Sequence, residues 1–129
     1  MHRGVSVEQT VWVYQELNQC QMYDVIRAEN VARLAMVTSN APYLTPMHYQ
    51  WQMDGDTSIF HFAGAAHGRR FEALCANKRV ALEIEHRHCT GMDVILAEGA
   101  VEMHVSEEED AAWIEVTIHR MTGRRYFIS

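Results

Sequence analysis

The chain has 129 residues, of which 48% are hydrophobic and 22% charged, and its formal net charge is −6 at pH 7. This size and composition are typical of one folded domain spanning 1–129, and the acidic balance argues against broad nucleic-acid binding. No apolar run reaches the ~18 residues of a membrane span, and the first ten residues lack the pattern of a secretory signal. Three cysteines without paired spacing are typical of reduced thiols, so we expect a cytoplasmic protein.

Helical patterns are short and separated by extended segments. Residues 1–17 leave an N-terminal arm and a helix both open, whereas apolar residues at helical spacing predict an amphipathic helix over 18–30. A second helix is predicted over 69–76, directly after a glycine. Ser106 with a glutamate three residues later forms the pattern of a capping box, which predicts a third helical piece at "SEEEDAAW".

Six segments carry the apolar runs or the two-residue alternation of strands. These predicted strands cover 31–39, 43–53, 57–64, 79–85, 93–105 and 113–121. The first is nearly all apolar, which predicts burial on both faces, and the second alternates, with its odd positions facing the core. "DGD" at 54–56 predicts a hairpin turn and "TG" at 122–123 another turn. The pattern predicts a mainly β fold, a small six-stranded antiparallel barrel with short accessory helices.

Such a barrel is filled by its own side chains, so a ligand has to bind outside the wall. We expect a second copy of the chain to close over that site, and therefore a homodimer.

An arginine doublet stands where a cation is unfavourable. Arg69 and Arg70 follow Gly68 in the first turn of the predicted helix, the positive end of the helix dipole. A phosphate bound there would remove the penalty, because exposed backbone N–H groups and paired guanidinium groups both bind anions. The doublet could instead pair with Glu72 and Glu85 on the surface. The residues alone leave both interpretations open.

Three stretches in the same order resemble a known family. They are "HFAGAAHGRRFEALCANKRVALEIE", upstream "ARLAMVTSNAPYLTPMHYQW", and the closing "IHRMTGRR". Together they resemble the pyridoxamine 5′-phosphate oxidase-related, FMN-binding split-barrel proteins, and within them the proteins related to nitroimidazole resistance. One departure is Ala63, where that subgroup often has a histidine five residues before the helix glycine.

The resemblance implies an FMN site on a split barrel. Arg69 and Arg70 would hold the phosphate, Arg124 would reach the cofactor or substrate of the partner subunit, and the flavin ring would lie along the second strand. The residues implied to bind the cofactor are Met47, His48, Tyr49, Gln50, Ala63, Gly64, Arg69, Arg70 and Arg124. Of these, His48 and Gln50 have the side chains that we expect beside the flavin.

The implied function is a flavin-dependent oxidoreductase acting on a small organic molecule at a dimer-interface site. A non-catalytic flavin-binding protein, for storage or sensing, is an alternative class. Some relatives bind haem, for which His48 and His61 are candidate ligands, and others bind deazaflavin, whose longer acidic tail demands more basic residues. "EHRHC" at 85–89 has metal-ligating residue types, although the pattern favours a solvated hairpin loop there and no metal.

Overall fold

The structure, a computed structural model, describes residues 12–128, with side chains over 13–127. Within this range the helices are α1 (Gln19–Ala28) and α2 (Arg69–Ala76). The strands are β1 (Trp12–Glu16), β2 (Val31–Val37), β3 (Pro42–His48), β4 (Gln50–Asp54), β5 (Thr57–Ala65), β6 (Arg79–His88), β7 (Gly91–Ser106) and β8 (Ala111–Ile128). The part of the predicted N-terminal arm before residue 12 lies outside the described residues. Neither of the two helices is long and apolar enough to cross a membrane.

The strands form one antiparallel sheet in the order β3-β2-β6-β7-β8-β5-β4, with β1 added to β8. Strands β3 and β4 stand at the two ends of this path, and no ladder joins them within the described part of the chain. The sheet is therefore an open barrel, which confirms the predicted split-barrel class. Over the described residues the sheet has eight strands rather than six.

The two additional strands have separate causes. The predicted strand 43–53 is divided at Tyr49, whose backbone N–H donates to the carbonyl of Asn30 just beyond α1 (3.0 Å). The Tyr49 hydroxyl donates to the carbonyl of Ile26 (2.7 Å). Helix α1 thus fixes the point where the chain leaves the β2 ladder and joins the β5 ladder. The eighth strand is β1, in the segment that the sequence left open.

Helix α1 is confirmed together with the face that it buries. Asn18 caps it, accepting from the Gln21 backbone N–H while the Gln21 side chain accepts from the Asn18 backbone N–H. Met22, Val25 and Ile26 are buried against the barrel. The strands complete this core, in which the most fully enclosed large side chains are Phe60, Ile26, Leu34, Leu74, Ile84, Ile95 and Val116.

Three local predictions are wrong. Strand β2 is buried on one face only: Ala32, Leu34 and Met36 are buried, whereas Arg33 and Val37 on the other face are exposed. "SEEEDAAW" forms no helix: the long β7–β8 ladder continues to its last pair, and residues 107–110 are a hairpin turn closed by Asp110 at φ 50°. Its Ser106 hydroxyl does accept from the Glu109 N–H (3.3 Å), as the capping pattern implied.

The third wrong prediction is the turn at "TG", where β8 runs through without interruption. A Cβ at Gly123 would come within 2.9–3.1 Å of the Met22 and Leu17 side chains. The glycine therefore admits the start of α1 against the strand instead of turning the chain.

Candidate functional site

A cleft of about 550 Å³ lies outside the barrel wall, where β3 passes into β4 beside β5. Six of the nine predicted cofactor-binding residues line it, and four further residues complete its wall. The predicted six are Met47, His48, Tyr49, Gln50, Ala63 and Arg70, and the four others are Pro46, His61, Phe62 and Trp113. The volume is within the usual range of small-molecule sites, ~300–1,000 Å³.

Alternation along β3 and β4 divides the predicted residues into two kinds. His48 and Gln50 are exposed, so their side chains are available to a ligand. Met47 and Tyr49 are 7% and 9% exposed and belong to the core. The Tyr49 hydroxyl is committed to Ile26, and burial, followed by the charge of Glu29, raises its pKa above the ordinary value. Tyr49 is therefore a neutral structural side chain that supports the cleft from beneath.

Arg70 reaches the cleft across a glycine. A Cβ on Gly64 would overlap the Arg70 Nη2 atom and come 3.0 Å from its Cζ. The absence of a side chain at Gly64 thus makes room for the guanidinium, which the sequence could not show. Within the described residues Arg70 makes no ion pair, and Glu85, one of its possible surface partners, lies 3.6 Å from Arg33.

The start of α2 adds unpaired donors beside Arg70. Its N-cap is Gly68 at φ 95°, a conformation that suits glycine, and no described side chain caps the helix. The first backbone N–H groups therefore keep their capacity for an external acceptor. A guanidinium without an ion-pair partner and a helix start without a side-chain cap, both within the described residues, make this end of the cleft suitable for an anion.

Arg69 points elsewhere. Its guanidinium lies over the ring of Tyr43, with Cζ 4.5 Å from the centroid, and it does not line the cleft. The doublet is therefore split in this structure, with one arginine in the cleft and one stacked on β3.

Arg124 lines a different cleft of about 520 Å³, between β7, β8 and α1. Its guanidinium lies 4.3 Å from the centroid of the Tyr14 ring. Arg120 and Glu16 line the same cleft, so a carboxylate offsets part of its positive charge. A single chain thus does not bring Arg124 to Arg70, and its predicted role needs a second copy.

His61 and Trp113 are cleft residues that the sequence did not assign to the flavin site. The His61 Nε2 atom is buried and has no hydrogen-bond partner among the described residues, and His61 pairs across strands with Gln50 and Glu115. Trp113 is 45% exposed and stands opposite Ala63. The alternation of β8, which turns Ile114 inward, is the signal that places Trp113 on the outer face.

The histidines of "EHRHC" belong to strand β6 rather than to a hairpin loop. His86 Nδ1 lies 2.7 Å from Glu29 Oε2, and His88 Nε2 lies 3.2 Å from Asp93 Oδ1. Both side chains are thus engaged with carboxylates. Within the described residues they form no group of three metal-ligating side chains.

Asp93 is the most buried charged side chain near them. Burial alone would raise the pKa of Asp93. The hydrogen bonds and charge of Arg125, followed by those of His88, outweigh burial and hold the pKa of Asp93 below its usual value. Arg125 binds both carboxylate oxygens (2.8 and 3.0 Å). This pair fastens β7 to β8 and takes no part in the cleft.

An outer cleft with one end suited to an anion lies on an open antiparallel barrel, and this architecture is that of a split-barrel protein. The family model described as pyridoxamine 5′-phosphate oxidase matches residues 18–89, more than half of the chain. The chain belongs to that family. No curated protein matches it.

Solved structures share the fold at low identity. An FAD-binding protein from Mesorhizobium loti is 17% identical, with a TM-score of 0.76 over 90% of this chain and 98% of that one. A candidate 5-nitroimidazole antibiotic resistance protein from Bacteroides thetaiotaomicron is 15% identical, with a TM-score of 0.73 over 98% of both chains. The FAD-binding protein from Mycobacterium smegmatis is 18% identical, with a TM-score of 0.63 over 88% of this chain and 98% of that one. At such identities the likeness shows the fold alone.

Proposed function

We propose that the cleft binds a flavin, FMN, and that the protein is a flavin-dependent oxidoreductase. The observation that carries the proposal is the Arg70 guanidinium, which crosses Gly64 beside the start of α2; among the described residues it has no ion-pair partner and the helix has no side-chain cap. These groups fit a terminal phosphate, and the cleft continues from them along β3 and β4 with room for a planar ring system. The FAD-binding proteins with this fold support a flavin as the ligand class.

FMN is favoured over cofactors with longer acidic tails. Within the described residues, Arg70 is the one arginine or lysine that lines the cleft, which suits one terminal phosphate. A dinucleotide or a deazaflavin with an acidic tail presents further anionic groups, for which this wall offers no additional guanidinium or ammonium group. An F420 reductase shares the fold, at 17% identity and a TM-score of 0.59 over 71% of this chain and 88% of that one. The cofactor titration described below must therefore distinguish binding of FMN from binding of a deazaflavin.

The chain's own residues have distinct parts in this proposal. The flavin supplies two-electron chemistry when bound, and the protein supplies position and electrostatics. Arg70 and the first turn of α2 bind the phosphate. His48 and Gln50 stand where they can hydrogen-bond the ring, and Trp113 offers an apolar surface for a small organic substrate.

The site is open on its outer side, so we also propose that it is completed in a homodimer. A second copy would cover the cleft and bring Arg124 toward the cofactor or substrate. The exposed Trp113 beside the cleft favours such a covered site, because transferring a large apolar side chain out of water is favourable.

The test is a visible absorption spectrum of the purified protein, followed by a titration with FMN. We expect flavin absorption, or quenching of FMN fluorescence to a stoichiometry of one per chain, and weaker binding of FAD. A Soret band would show that the cleft binds haem, with His48 and His61 as its ligands. Tighter binding of a deazaflavin than of FMN would make a deazaflavin the cofactor instead. A protein that takes up none of them contradicts a redox-cofactor site.

Activity is tested separately with NAD(P)H and a panel of nitro and quinone acceptors. Turnover faster than that of free FMN supports the oxidoreductase. Binding of FMN with turnover no faster than the free cofactor favours the non-catalytic flavin-binding protein.

A further inference from the structure

The outer face of the β7–β8 ladder carries a cluster of metal-ligating side chains beside the cleft. Glu102 and His104 are two residues apart on β7, so they project from the same face of the sheet. Glu115 on β8 is the direct cross-strand partner of Glu102. One ligand atom from each of the three side chains lies within 4.8 Å of the others.

The register makes this arrangement unfavourable without a cation. Like charges directly opposite each other on neighbouring strands destabilise a sheet. Neither Glu102 nor Glu115 forms an ion pair with a described residue, so no lysine or arginine there offsets the repulsion. The third member, His104, contributes an imidazole nitrogen, which is a common ligand of transition-metal ions.

We propose that Glu102, His104 and Glu115 bind a divalent transition-metal ion, with Zn²⁺ as the best match. Metal–ligand bonds of ~2.0–2.2 Å place ligand atoms about 3–4 Å apart, so small side-chain rotations close the cluster around an ion. One imidazole and two carboxylates suit a borderline ion such as Zn²⁺. Mg²⁺ is a poorer match because it prefers oxygen ligands and retains its waters. Three protein ligands leave a coordination position open.

The ion would lie next to the proposed flavin site on the same face of the sheet. Glu115 pairs with His61, and His104 pairs with Trp113, and both partners line the cleft. The metal site does not depend on the flavin, since its ligands are on β7 and β8 and are not cleft-lining residues. Failure of one proposal therefore leaves the other standing.

The experiment is equilibrium dialysis of the untagged, full-length protein against Zn²⁺, with Mg²⁺ as comparison. We expect Glu102→Gln, His104→Gln and Glu115→Gln each to weaken one Zn²⁺ site per chain by at least about tenfold, since even outer-shell changes cost 10–100-fold. Zn²⁺ bound by cysteines or by other histidines is still bound in these variants, so the difference between wild type and variant isolates the proposed site. Thermal unfolding in EDTA establishes that each variant is folded.

Two matched variants provide the control. Glu98→Gln removes an exposed carboxylate from β7, and His119→Gln removes an exposed imidazole from β8. Both should retain the full number and affinity of Zn²⁺ sites, and Zn²⁺ should raise their unfolding temperature as it does that of the wild type. Wild-type protein that binds no Zn²⁺, or cluster variants that bind it like the wild type, would overturn the proposal.

Discussion

Replacing Arg70 by alanine tests the anion-binding end of the cleft. The Arg70 guanidinium crosses Gly64, lines the cleft and makes no ion pair within the described residues. Its removal therefore breaks no structural ion pair and leaves the core intact. The expected loss is confined to the bound phosphate.

The magnitude follows from the contact that is lost. A hydrogen bond to a charged group contributes about 1.5–3 kcal/mol, so Arg70→Ala should raise the Kd for FMN by about 10- to 150-fold. Arg69→Ala provides the matched control, because that side chain is exposed on Tyr43 and outside the cleft. Its effect should be smaller, about 1 kcal/mol or less, as for an exposed charge. Gly64→Ala should act like Arg70→Ala, since the new methyl group displaces the guanidinium while ordinary backbone angles are kept.

The assay is quenching of flavin fluorescence, with FMN and riboflavin titrated in parallel. Riboflavin lacks the phosphate, so its affinity should be the same in wild type and in Arg70→Ala. Urea unfolding of each variant shows that the fold is unchanged. The reasoning is refuted if Arg70→Ala binds FMN as tightly as the wild type, or if riboflavin affinity falls by the same factor as FMN affinity.

Two further predictions concern the scaffold. Asp93→Asn leaves the Arg125 charge without its buried partner and should lower the free energy of unfolding by about 3 kcal/mol, measured by urea denaturation at neutral pH. The pKa of Asp93 is lower in the folded state than in the unfolded chain, so the carboxylate's contribution to the free energy of unfolding is complete above the unfolded pKa and is lost as pH falls through the folded pKa. Asp93→Asn should therefore lose less stability than the wild type as pH falls below about 4. An equally steep loss of stability in the two proteins would contradict this. Tyr49→Phe removes the bond to the Ile26 carbonyl and should cost about 1–2 kcal/mol in the same assay, without changing FMN affinity, since the hydroxyl faces the core; a loss of FMN affinity alone would show that this side chain serves the cleft instead.

Patterns in consecutive residues correctly predicted the elements that are formed by contacts between residues close in the sequence. Helix α2 has the predicted bounds, and α1 lies within the predicted segment because its cap and apolar face are encoded in consecutive residues. The hairpin at 54–56 follows from a glycine with φ of 62° at Gly55. Alternation also gave the correct inward positions of β3 and β8, but in β4 it holds only for Trp51, since Met53 is 36% exposed.

Features that depend on distant contacts were not predictable in this way. The break at Tyr49 requires the position of Asn30, and the continuity of β8 through Gly123 requires α1 to pack upon it. The sequence around 107–110 has the pattern of a helix cap, but the pairing of β7 with β8 makes this segment a hairpin turn. In each case tertiary contacts outweighed a local preference.

The site was predicted unevenly for the same reason. The residues of β3, β4 and β5 came from the resemblance and lie together, because neighbouring strands present them on one face. Arg69 and Arg70 have different contacts, Tyr43 for the first and Gly64 for the second, and no spacing along the chain relates these residues to the doublet. The alternation of β8 places Trp113 on the outer face, but a single outward tryptophan carries no sequence signal that connects it with the cleft.

A crystal structure of the protein with FMN tests the central claim most directly. We predict the phosphate within hydrogen-bond distance of the Arg70 guanidinium, about 2.7–2.9 Å, with the ring along β3 and β4 beside His48 and Gln50. FMN bound in another part of the molecule, or a cleft holding only water at saturating FMN, would contradict it.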